Sequence, residues 1–260
     1  MKRNSETILR IVLPLATLAL FFGAWSYYVH GATISPFILP PPEKIGRAFL
    51  TQIADPGVWR HIQVTLTETL GGFFSALIAG ITLGALMAKL PPVEWAFKPF
   101  IIALQLIPKV ALAPLFILWF GFGLESKIVI SGVLAFFPIF ANTLVAIKST
   151  DAGDREVFAS MRATPLQSFL LLELPSALPV ILTGAEVAIV LAIIGAIVGE
   201  FIGGNAGLGH LAVVRLQELQ VDQLFGVILI LALIGLLLYG GVAVLRRILV
   251  PWHQSAATQM

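Results

Sequence analysis

The stretch that decides the fold reads PSALPVILTGAEVAIVLAIIGAIVG, from Pro175 to Gly199, twenty-five residues with one charged side chain, Glu186. A hydrocarbon layer about 30 Å thick needs about 20 consecutive apolar residues in helical form, because inside it only the segment's own hydrogen bonds can satisfy its backbone. A run this long with a single charge reads as a membrane span. Working outward, further apolar segments fall at about 8–29, 62–88, 99–120, 126–147 and 224–245, so the chain is expected to be all-α and polytopic, with six transmembrane helices. Composition agrees: 58% of the 260 residues are hydrophobic and only 12% charged, about half the charged share of a soluble domain. A soluble globular enzyme is excluded.

Six crossings put both termini on one side. The first span follows Lys2 and Arg3 and is longer than a signal-peptide apolar region, so it reads as an uncleaved anchor. With the N-terminus inside, ten basic residues lie inside (Lys2, Arg3, Arg10, Lys89, Lys98, Lys148, Arg155, Arg162, Arg246 and Arg247) and five outside (Lys44, Arg47, Arg60, Lys127 and Arg215). The excess places both termini in the cytoplasm. Sixteen basic against 14 acidic residues is too even a balance to point to a nucleic acid. The absence of cysteine excludes thiolate metal sites and a cysteine nucleophile, and His30, His61, His210 and His253 are scattered without ligand spacing, so neither a metal nor a cofactor is expected.

The connections differ in length. Gly121, Phe122 and Gly123 make a tight turn, whereas Pro40 to Pro42 precede a short helix from Glu43 to Ile53 whose Ile45, Phe49 and Ile53 recur at helical spacing. With no repeat and no linker, residues 1–260 are expected to form one transmembrane domain. The segment at about 148–174, between the fourth and fifth spans, is long and semi-polar. It reads as two short helices broken at Pro165, lying across the membrane surface, with Pro175 and Pro179 reshaping the start of the fifth span. Phe158 and Met161, three apart, are expected to serve as apolar knobs for a partner's groove; the alternative is an ordinary loop.

At these residues the sequence resembles the permease subunits of ATP-binding-cassette importers, specifically the nitrate, sulfonate and taurine family. That family's inner loop carries Glu-Ala-Ala, a glycine six positions after the glutamate, and later Leu-Pro. Here Glu156, Leu174 and Pro175 match, while Val157 and Phe158 replace the alanines and Arg162 the glycine. Ile38, Leu39 and Pro40, Ile107 and Pro108 with Pro114, Leu118 to Gly121, and Phe136 to Thr143 extend the resemblance over about residues 35–250. It implies the type I importer permease fold and a bacterial plasma (inner) membrane location. The implied partners are a second permease subunit in a homodimer or heterodimer, two ATPase subunits, a soluble binding protein and membrane lipid. The surface around Glu156, Phe158, Ala159, Met161, Arg162, Ala163 and Pro165 would dock on the ATPase. Arg162 fills space where the family lets backbones approach, so a compensating acidic or aromatic site on the ATPase is expected. The implied cargo is a sulfonate, taurine, nitrate or a similar small anion, or alternatively a vitamin or pyrimidine precursor. The chain has no Gly-x-x-x-x-Gly-Lys-Ser/Thr loop, which agrees with hydrolysis in a partner.

Polar groups inside spans are the candidates for the path. Lys109 lines the path, pairs with Glu186, or sits at a helix end; an unpaired ammonium in lipid is costly, so it should face protein or water. Gln105 and Asn142 are expected to make interhelical hydrogen bonds or touch cargo. Glu200, fourteen residues after Glu186, resembles the family's acidic residue near the outer end and otherwise reads as a solvated helix end. Gly184, Gly195 and Gly199 should permit close helix approach, and Gly203 to Gly209 reads as an outer turn, not a phosphate loop. From another class, a self-sufficient secondary transporter would show internal repeats and paired broken helices, and neither is found.

Overall fold

The computed structural model describes residues 2–31, 35 and 37–251, with the side chains of residues 2–11 excepted. His253 and the side chains of Lys2, Arg3 and Arg10 lie outside the described residues. In chain order the helices are α1 (Lys2–Gly31), α2 (Pro42–Ala54), α3 (Pro56–Lys89), α4 (Pro91–Leu106), a 3-10 turn (Lys109–Leu112), α5 (Ala113–Phe120), α6 (Leu124–Lys148), α7 (Ala152–Ser160), α8 (Pro165–Ser168), a π turn (Phe169–Glu173), α9 (Leu174–Gly203), α10 (Leu208–Gln217) and α11 (Val221–Leu249). Among the described residues there is no strand.

Five helical runs are long and apolar enough to cross a membrane: Val12–Gly31, Pro56–Lys89, Leu124–Lys148, Pro165–Gly203 and Val221–Leu249. The sixth candidate is the pair Pro91–Leu106 and Lys109–Phe120, bent by 88°. The single segment expected at 99–120 is thus broken. Proline has no N–H to continue the ladder and disfavours helical geometry in the residue before it, and Ile107 accordingly takes φ −70° and ψ 129° ahead of Pro108. The opposite departure occurs before the fifth span. There the second short helix runs on into the membrane helix instead of lying separately, because the turn ahead of Pro175 widens to π geometry, with Leu174 N–H donating to the Phe169 carbonyl.

The chain forms two compact units, one of Met1–Trp59 with Leu211–Leu231, the other of Arg60–His210 with Ala232–Met260. In the first, α2 follows Pro41 in extended geometry with Pro42 in its first turn, and buries Ile45, Ala48 and Gln52. Gln52 Nε2 donates to the Gln223 carbonyl at 2.7 Å, and Trp25 lies 6.3 Å from Phe225. At the start of α2 the Glu43 carboxyl is held below its ordinary range by its own backbone N–H and by the Ser26 hydroxyl, which donates at 3.0 Å.

In the second unit the most extensive helix pair is α6 with α9. Phe73 and Ala76 of α3, Ala135 and Ile139 of α6, and Ala185, Ala188, Ile189 and Ala192 of α9 form one buried cluster. Lipid removes the hydrophobic drive between helices, so small side chains that permit close van der Waals contact do most of this packing. Gly184, Gly195 and Gly199 of α9 behave as expected for close helix approach. A Cβ on Gly195 would stand 2.6 Å from Ser131 Cα, on Gly199 2.8 Å from Lys127 Cγ, and on Gly184 2.9 Å from Asn142 Cβ. Ser131 Oγ donates across the same seam to the Ala192 carbonyl at 2.9 Å.

Candidate functional site

The segment between α6 and α9 is locally well specified. Asp151 caps α7 by accepting from Gly153 N–H at 2.8 Å and Asp154 N–H at 3.2 Å. The helix ends with Arg162 N–H donating to the Ala159 carbonyl and Ala163 N–H to the Phe158 carbonyl, both at 3.0 Å. This pattern requires a left-handed residue, and Arg162 supplies it with φ 56°. Thr164 and Gln167 then form a reciprocal capping box around Pro165, which opens α8. The family glycine at 162 therefore corresponds to a backbone geometry. The Arg162 side chain is exposed and stands free for whatever docks on this segment.

Exposure on this segment differs from the expected knobs. Met161 is 74% exposed, but Phe158 is half-buried, and Val157, one turn from Met161, and Leu166 also face outward. Glu156, Ala159 and Pro165 are exposed, and Ala163, Leu174 and Pro175 half-buried. Beneath the segment, Glu173 is buried and takes Lys89 Nζ on both oxygens, at 2.9 and 2.8 Å. Arg155 approaches Glu173 at 3.7 Å and donates to the Ile147 carbonyl at 2.6 Å. A second ion pair, Lys148 with Glu94, joins the end of α6 to α4.

Lys109 and Glu186 are not brought together. Glu186 pairs with Arg246, whose Nε lies 2.9 Å from Oε1, and Arg246 also donates to Thr183 Oγ1 at 3.2 Å, joining α9 to α11. Lys109 begins the 3-10 turn at the bend, donates to the Gln105 carbonyl at 3.3 Å and stands 4.5 Å from the centre of the Phe137 ring. It borders a cavity of about 570 Å³ walled by Phe116, Phe136, Phe137 and aliphatic residues of α3, α4 and α6, in which Ser75 is the other polar side chain. The Gln105 side chain is exposed. Among the described residues Asn142 makes no interhelical bond; its Nδ2 donates back to the Pro138 carbonyl of its own helix at 2.8 Å.

Glu200 is not a solvated helix end. It is 1% exposed, accepts from Thr65 Oγ1 at 2.6 Å and Gly209 N–H at 2.5 Å, and sits where a Cβ on Gly207 would fall. The run from Gly203 to Gly209 thus wraps its backbone onto a carboxylate, with Gly207 at φ 102°. Lys127, counted among the outer charges, is also buried, its ammonium bonded to the carbonyls of Phe122, Gly123 and Gly203. Glu68 is buried beside Glu200. Sequence reasoning passed over Glu68, Thr65 and Glu173; an ionisable residue within a span was signal enough for Glu68.

Helical throughout the described residues, with a broken third span and a stapled segment before the fifth, the chain has the build of a polytopic membrane protein. Residues 80–253 match the family described as binding-protein-dependent transport system inner membrane component, and the chain belongs to that family. It is a multi-pass inner-membrane permease of an ATP-binding-cassette importer, a class that works with ATPase and binding-protein partners. Among its relatives, the formylaminopyrimidine transport permease protein ThiX of Halalkalibacterium halodurans is 38% identical over 220 residues, 85% of this chain and 88% of that one. The riboflavin transport system permease protein RibX of Chloroflexus aurantiacus is 38% identical over 94% of this chain and 90% of its own. The taurine transport system permease protein TauC of Escherichia coli is 30% identical, also over 94% and 90%. A chain of the MetNI methionine ABC transporter, solved in inward-facing conformations, shares the fold with a TM-score of 0.66 at 21% identity, covering 75% of this chain and 98% of that chain.

Proposed function

We propose that the chain forms, as one permease domain paired with a second copy of itself, the path for a small organic anion delivered by a soluble binding protein from outside. Two separate ATPase subunits drive it from the cytoplasm, where both termini lie. ATP-dependent closure moves the exposed segment around Val157, Met161 and Leu166, and the helix bundle alternates between outward and inward openings. The observation that carries the cargo reading is Lys109, a cation beside a largely apolar, aromatic cavity. An anionic group would meet the ammonium while an organic body fills the apolar space. A second reading, a neutral heterocyclic vitamin or pyrimidine precursor, draws on Phe116, Phe136 and Phe137 and on the relatives named for formylaminopyrimidine and riboflavin.

Uptake by the reconstituted complex, assayed with ethanesulfonate and with formylaminopyrimidine, separates the two. Lys109→Gln is expected to weaken the anion's apparent affinity about tenfold, the worth of one charge-assisted contact. An unchanged sulfonate response, or uptake of the pyrimidine alone, favours the second reading.

A further inference from the structure

Glu173 occupies an unusual junction. It ends the π turn Phe169–Glu173 that leads into α9, and one inserted residue rotates the side chains beyond it by about 100° around the helix axis relative to an unbroken α-helical register. The carboxylate so placed is 2% exposed, and its partners come from two other elements. Lys89 is the last residue of α3 and holds both oxygens. Arg155 belongs to α7 and, through the Ile147 carbonyl, also grips the end of α6. A buried carboxylate bound by cations contributes little net stability over an apolar substitute, since desolvation offsets much of the attraction. Its distinctive property is geometric: one group fixes the surface segment to the ends of three spans. Lys89 and Arg155 are partly exposed, at 35% and 43% of their side chains, while the Glu173 they hold is buried.

The geometry points to Glu173 as the positioning residue that delivers movement of the segment at residues 152–168 to the end of α3. This rests on the reading that the segment meets an ATPase. When the segment shifts, Arg155 carries the Glu173 carboxylate, and the doubly bonded Lys89 draws α3 with it. Without the carboxylate, the segment still moves with its partner, but α3 no longer moves along.

The absence of cysteine permits single spin labels in an otherwise native chain. One label replaces Ala152 at the start of α7; another replaces Leu86, 43% exposed on α3 one turn before Lys89. Each is recorded in the complex with the ATPase, before and after trapping with ATP and vanadate. In the wild type both spectra are expected to change. In Glu173→Gln the Ala152 response is expected to persist and the Leu86 response to fall by about threefold or more. Arg155→Gln, at a half-exposed position, should give the same pattern and decides the matter where Glu173→Gln does not fold. An undiminished Leu86 response in the variants overturns the inference, as does loss of both responses, which marks a merely structural staple. Silence of both labels in the wild type instead defeats the ATPase-docking reading.

Discussion

Position 162 shows how a backbone requirement is read from one residue. The end of α7 needs a left-handed conformation, which an L side chain with a Cβ adopts at a cost of about 1–2 kcal/mol and glycine adopts freely. Arg162→Gly is therefore expected to stabilise this terminus by about 1 kcal/mol, slowing hydrogen exchange of the Ala163 amide about fivefold. Unchanged or faster exchange would contradict the assignment of φ 56° as strained. Sequence alone showed that a bulky cation stood in place of glycine. It did not show the left-handed backbone there, because φ is set by the hydrogen bonds to Phe158 and Ala159. Glu200 failed to be legible for a related reason: its donors come from Thr65, far back in the chain, and from the backbone of Gly209, which has no side chain to signal it.

Among the helices, apolar length made the spans visible, since a membrane demands long uninterrupted runs whatever their packing. Breaks were less legible. Pro108 and Pro175 look alike in sequence, yet the first precedes an 88° bend and the second is absorbed by a π turn that keeps the helix continuous. The difference lies in tertiary context, which a proline's missing N–H does not fix. Glycine spacing in α9 was more informative, because a small residue repeated along one face has little use other than close approach. Gly195→Ala is expected to destabilise the α6–α9 seam by about 1–3 kcal/mol through contact with Ser131. Gly235→Ala in α11, with open space around its Cβ, should be neutral or stabilising. Thermal unfolding in detergent compares the two; equal midpoints would refute the close packing.

For the molecule as a whole, charged groups within the bundle hold helices to one another. Three ion pairs staple helices: Glu186 to Arg246, Glu173 to Lys89, Glu94 to Lys148. The conspicuous exception is Lys109, set against an aromatic ring at a cavity wall. On the proposed function, the cavity takes a solute and the exposed apolar segment a driven partner. The most direct test is ATP hydrolysis by the complex in lipid, containing this chain and its separate ATPase, with and without loaded binding protein, for the wild type and Met161→Glu. Stimulation by the loaded binding protein that Met161→Glu lowers by about tenfold is expected, since a charge set against an apolar groove must be desolvated. Solute flux through this chain alone, with no ATPase bound and no response to ATP, would contradict it.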